Sequence, residues 1–249
     1  MTAEADTTAE HRATTGLSLR FEVASSPRLL ALLEREFDAI AATLAPWGRF
    51  TQPVRLHVAA DLPTVRALAG GPTDGILQAA ATAEVVVLLE PSRWPTTPPD
   101  PALRTVVTHE LAHALLFQRC APPGRSRPVA LPCWFREGMA VLASEGRPDA
   151  RRRIEAASRT DVARLAHADA TAIAGEPDAT YDVAVTLFDA WLQLYGMRKL
   201  GALCREMRNG RAFAAAFASS CGVEEAEWLT ATVRQLHALA SDGGTTAPR

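Results

Sequence analysis

His109-Glu110-Leu111-Ala112-His113 stands inside a run, Ala102 to Gln118, that has no internal proline or glycine. The run follows Pro101, a residue suited to a first helical turn, and carries Val107, Leu111, Ala114, Leu115 and Gln118 at helical spacing. It predicts a helix that ends before Ala121-Pro122-Pro123-Gly124. At about 3.6 residues per turn, positions four apart lie on one side, so His109 and His113 can offer their imidazoles to one cation. Glu110, one step round, flanks that cation without occupying it. Either histidine alone would read as an ordinary helix residue satisfied by backbone or carboxylate hydrogen bonds. The pair with Glu110 between them reads as two zinc ligands and a base.

Such a zinc site takes a third protein ligand and leaves its fourth position to water. A third histidine further along the same helix is excluded, because Leu116 and Arg119 occupy the positions where a glycine and the histidine would stand. The best candidate is Glu137, in Leu131-Pro132-Cys133-Trp134-Phe135-Arg136-Glu137-Gly138-Met139-Ala140. This segment predicts a second helix over 134–144, in which Gly138 permits close approach to another backbone and Trp134 and Phe135 supply apolar mass. Read without the upstream motif, Glu137 would be a solvated carboxylate in a first turn. Asp149 and Asp161 are next in line as ligands.

The two motifs together, His109-Glu110-x-x-His113 and then Pro132-x-Trp134-Phe135-x-Glu137-Gly138-x-Ala140, resemble the gluzincin branch of zinc metallopeptidases, particularly the bacterial peptidase-MA-like proteins. Looser similarity runs through Pro53 to Val58 and Ala83 to Leu89 upstream, and through Tyr181 to Gly196 downstream. The resemblance implies His109, His113 and Glu137 as ligands of Zn2+, Glu110 as general base, and hydrolysis of peptide (amide) bonds in a peptide or protein substrate. Glu110 would take a proton from the attacking water and hand it to the leaving amine. The resemblance also places Tyr181 at the opening of a long helix from which its phenol could reach the oxyanion, with an amphipathic interface role equally open. His167, Asp161 and Arg136 are weaker candidates, read as surface residues.

Around these motifs the pattern predicts strands at 19–23, 54–59 and 85–89, and helices at 27–44, 63–68, 102–118, 134–144, 150–166, 181–195, 198–207, 211–218 and 224–240. Strands first and helices after make an α+β plan. The resemblance adds that this plan is zincin-like, a small N-terminal sheet lobe and a helical C-terminal lobe with the metal between them. Residues 1–16 and 241–249 are small and polar without periodicity and are expected to be disordered, leaving one domain over 17–240. The Pro-rich segments 91–101 and 122–128 enter and leave the active helix, as stiff connectors or as shapers of a cleft.

The chain has 249 residues, 48% of them hydrophobic and 22% charged, ordinary for a globular enzyme domain. With 26 Lys+Arg against 28 Asp+Glu and no basic stripe, nucleic acid is not an expected partner. Apolar runs are too short to span a bilayer, and the first residues carry no charged-then-apolar leader, so a cytoplasmic location is expected. Cys120, Cys133, Cys204 and Cys221 could form two disulfides in any of three pairings, but a cytoplasmic site favours thiols, with Cys120 and Cys133, which flank the metal segment, read as structural. Besides a peptidase, the sequence admits a zinc hydrolase tailoring a small amide in a biosynthetic pathway, or a non-catalytic zincin-fold binding module; the intact Glu110 argues against the last.

Overall fold

Five strands, ten α-helices and two 3-10 helices appear in the computed structural model, which describes residues 8–12, 17–22, 26–69, 78–127 and 130–243. The arrangement is mixed α+β, strands first, and the chain divides into two units, Met1–Arg119 and Cys120–Arg249.

The first unit holds β1 (Thr8–Arg12), β2 (Ser18–Glu22), β3 (Val54–Ala59), β4 (Ala79–Ala81) and β5 (Val85–Leu89) in one sheet of order β1-β2-β3-β5-β4. The inner pairs β2·β3 and β3·β5 are parallel and the outer pairs antiparallel. Val86, Val87, Leu88 and Leu89 are all buried, as expected of a strand covered on both faces. The helices of this unit are α1 (Pro27–Leu44), α2 (Leu62–Ala69) and α3 (Asp100–Cys120), whose last residue opens the second unit. On α1 the apolar positions Leu29, Leu32, Leu33, Phe37, Ile40 and Leu44 form one buried stripe.

The second unit is helical throughout: α4 (Cys133–Glu145), α5 (Ala150–Ala157), α6 (Val162–Ala166), α7 (Ala170–Gly175), α8 (Pro177–Arg208), α9 (Phe213–Cys221) and α10 (Glu225–Gly243). Its core is an aromatic cluster in which Trp134 and Phe135 of α4 meet Phe188, Trp191, Phe213, Phe217 and Trp228 at centroid distances of 4.9–6.2 Å. Such edge and tilted contacts add to the area these rings bury. The Trp134 indole donates to Glu225 Oε1 at 2.9 Å, so its one polar atom is satisfied.

Several expectations are met to the residue: α1, β3 and β5 have the predicted bounds. Four are not. Thr8–Arg12, inside the N-terminal stretch expected to be disordered, forms a strand antiparallel to β2. A single helix over 150–166 is interrupted at Ser158-Arg159-Thr160-Asp161, where the Arg159 carbonyl lies 3.0 Å from His237 Nε2 of α10, and Arg159 and Arg164 bond the Asp161 carboxylate. The three-residue β4 and six-residue α7 were too short to show a period. Residues 241–243 continue α10, and 244–249, with 1–7 and 13–16 at the other end, lie outside the described residues. The predicted break between 195 and 198 is present, because Gly196 inside α8 takes φ 73°, open to glycine and strained for other residues.

Candidate metal centre

The HExxH residues sit in the middle of α3, and the first unit fixes this helix at both ends. At its start Asp100 accepts from the guanidinium groups of Arg28 at 2.8 Å and Arg35 at 3.0 Å, both on α1. Near its end the buried Gln118 donates to Gln52 O and Ala83 O and accepts from Thr51 N, joining α3 to the chain ends beside β3 and β5. Arg119 reaches Trp47 O. Glutamine suits this place because its amide has donors and acceptors enough for three partners without bringing a charge into the interior. Val107, Leu111, Ala114 and Leu115, the predicted apolar positions, are fully buried.

On this fixed helix the Nε2 atoms of His109 and His113 stand 3.1 Å apart, with the two rings edge to face. Two imidazoles sharing one tetrahedral zinc at about 2.0–2.1 Å would hold their nitrogens about 3.4 Å apart, so the pair is already close to the spacing an ion requires. His113 also stacks on Phe117, ring planes 13° apart, which restricts its rotation. Glu110 is buried and follows His109 on the same turn.

Glu137 lies in the second turn of α4 and is only 6% exposed, so the solvated first-turn reading does not hold. Its depth follows from its neighbours. Trp134 and Phe135 are fully buried, and a Cβ built on Gly138 would stand 2.3 Å from Ala184 O and 2.5 Å from Phe188 Cβ of α8. The role expected of Gly138, close approach to another backbone, is therefore met. Arg136, read from the sequence as a surface residue, instead donates from Nε to Glu137 Oε1 at 2.7 Å. The carboxylate beside it holds the guanidinium above its ordinary pKa.

His109, His113 and Glu137 form a group that could hold a metal ion, each offering one ligand atom, all within 4.8 Å of one another. Two imidazoles and a carboxylate are a donor set suited to zinc with a coordination position left over. The alternatives for the third ligand are engaged elsewhere: Asp149 caps α5 by accepting from Arg152 N, and Asp161 is bonded by Arg159 and Arg164. Compared with known proteins, the chain matches no family model, and no curated protein is significantly similar to it.

Tyr181 lies in the first turns of α8, half-buried and within electrostatic reach of Arg136. His167 is exposed, as expected. The expectation of thiols fails for Cys120 and Cys204, which form a disulfide across 84 residues; both are buried, and no local spacing announces such a pairing. Cys133 is free, and burial, with Glu137 nearby, pushes its thiol up to about 12. Among the described residues no helix is long and apolar enough to cross a membrane.

Proposed function

We propose that the chain is a gluzincin-like, zinc-dependent hydrolase with a zincin-like fold that cleaves peptide (amide) bonds. The grouping of His109, His113 and Glu137, with the buried Glu110 next to His109 on the same turn, is the observation that supports this reading. A zinc ion held by those three residues would supply Lewis acidity, polarising a carbonyl and bringing the pKa of a bound water toward neutrality. Glu110, next to His109 and outside the ligand group, takes a proton from the attacking water and passes it to the departing amine. Tyr181 serves as a donor to the developing oxyanion. A peptide or protein is the proposed substrate class, with neither nucleic acid nor membrane as partner.

The test is a library of internally quenched peptides incubated with zinc-reconstituted protein, with Glu110→Gln as control. Turnover in the wild type that vanishes in the zinc-loaded variant supports the reading; cleavage undiminished in Glu110→Gln removes Glu110 from the chemistry. The cytoplasm is the proposed location, with the Cys120–Cys204 disulfide as its counterweight, because disulfides persist mainly in oxidising compartments. Thiol trapping during lysis decides between them.

A further inference from the structure

We infer that Arg136 is a positioning residue that orients Glu137 for metal binding, and that it thereby sets the affinity of the site; the inference rests on the metal reading above. Residues adjacent in sequence point about 100° apart round a helix and do not ordinarily face each other. The 2.7 Å bond from Arg136 Nε to Glu137 Oε1 is therefore no by-product of helical spacing. It is made at a carboxylate whose side chain is 8% exposed, by an arginine whose own side chain is 31% exposed. A buried carboxylate without a partner is costly, and a charge-assisted bond offsets that cost while fixing the rotation of the carboxyl group. Trp134 and Phe135, packed in the aromatic cluster, hold the same turn of α4 in place, so both backbone and side chain of Glu137 are constrained before any ion arrives.

Two effects of Arg136 on a cation oppose each other. Its positive charge repels the ion, whereas its hydrogen bond holds the ligand ready. Removing outer partners of ligating side chains ordinarily costs about 10–100-fold in metal affinity, which is the direction we assign here.

The experiment measures zinc affinity by competition with a chromophoric chelator, together with the visible absorption of the cobalt-substituted protein, for wild type, Arg136→Met, Arg136→Lys and Glu137→Ala. Met keeps the apolar stem and removes the donor, so zinc affinity should fall about 10–100-fold and the cobalt bands should shift. Lys restores a charged donor and should recover part of the loss, which a purely structural role would not predict. Circular dichroism establishes that each variant is folded; if Arg136→Met is not, Arg136→Gln takes its place against Arg136→Lys. Unchanged or tighter binding in the Met or Gln variant, with unshifted cobalt bands, overturns the inference while leaving the metal site standing. Wild-type protein that binds neither metal fails the metal reading itself, and the inference falls with it.

Discussion

Gly138→Ala probes the packing that holds Glu137 in place. The added Cβ would meet a backbone oxygen, Ala184 O, at 2.3 Å and Phe188 Cβ at 2.5 Å, both well inside contact distance. Neither neighbour is the loose end of a long side chain. Relief therefore requires α4 and α8 to separate by on the order of 1 Å, since carbon contacts settle near 3.5–4.0 Å. Overpacking of this kind costs up to about 3 kcal/mol, and the better helix propensity of alanine returns about 1 kcal/mol, leaving a net loss of about 2 kcal/mol. For a chain of this size that is a fall in Tm of about 4–8 °C. The movement also carries Glu137, one residue away, so zinc affinity should drop in step. Thermal unfolding followed by circular dichroism reads the first effect and chelator competition the second. Gly175→Ala is the control: nothing lies within 4 Å of its added Cβ, and the same substitution there should be neutral or slightly stabilising. A Gly138→Ala protein as stable as wild type would refute the close approach of α4 to α8.

Glu110→Gln should bind zinc like wild type and lose turnover, separating base from ligand in a paired metal and rate measurement. Tyr181→Phe should lower kcat by roughly 10²-fold or more with KM and zinc content little changed if its phenol meets the oxyanion; a kcat within about twofold would make it a packing residue. Reducing the Cys120–Cys204 disulfide, or replacing Cys204 by Ser, should destabilise the second unit, by about 4.5 kcal/mol at most from the entropy of an 84-residue loop, read as a lower urea midpoint. Arg159, bonded to its carboxylate with Arg164, holds Asp161 well below its ordinary value, at about 2. Because this folded pKa is depressed, the stabilisation is present above about pH 4 and is lost as pH falls toward 2. Asp161→Asn should remove that part of the acid dependence of unfolding.

The elements legible in the sequence were those whose burial leaves a clear apolar pattern. On α1 that pattern is one buried stripe, on β5 a continuous buried run, and the predicted bounds of both hold. That His109 and His113 come together was legible because their spacing sets both on one side of a single helix, with no distant partner needed. Glu137 was reachable only through the upstream His109–His113 motif, which calls for a third ligand, with Trp134, Phe135 and Gly138 saying that its turn is packed from within. What stayed hidden depends on tertiary placement. The Cys120–Cys204 pairing joins positions 84 residues apart. Arg136 looks like any partly exposed arginine until its bond to Glu137 is seen. β1 is a short polar edge strand whose order comes from pairing with β2, and its composition gives no sign of that. The gap between α5 and α6 coincides with a contact from His237, 78 residues away, to the Arg159 carbonyl, which a helical period does not register.

Elemental analysis combined with zinc titration of chelator-stripped protein tests the central claim most directly. The account predicts one zinc per chain, lost on replacing His109 or His113 and weakened on replacing Glu137, with Glu110→Gln still binding. Absence of tight zinc binding in folded wild-type protein, or binding indifferent to His113→Ala and Glu137→Ala, would contradict it.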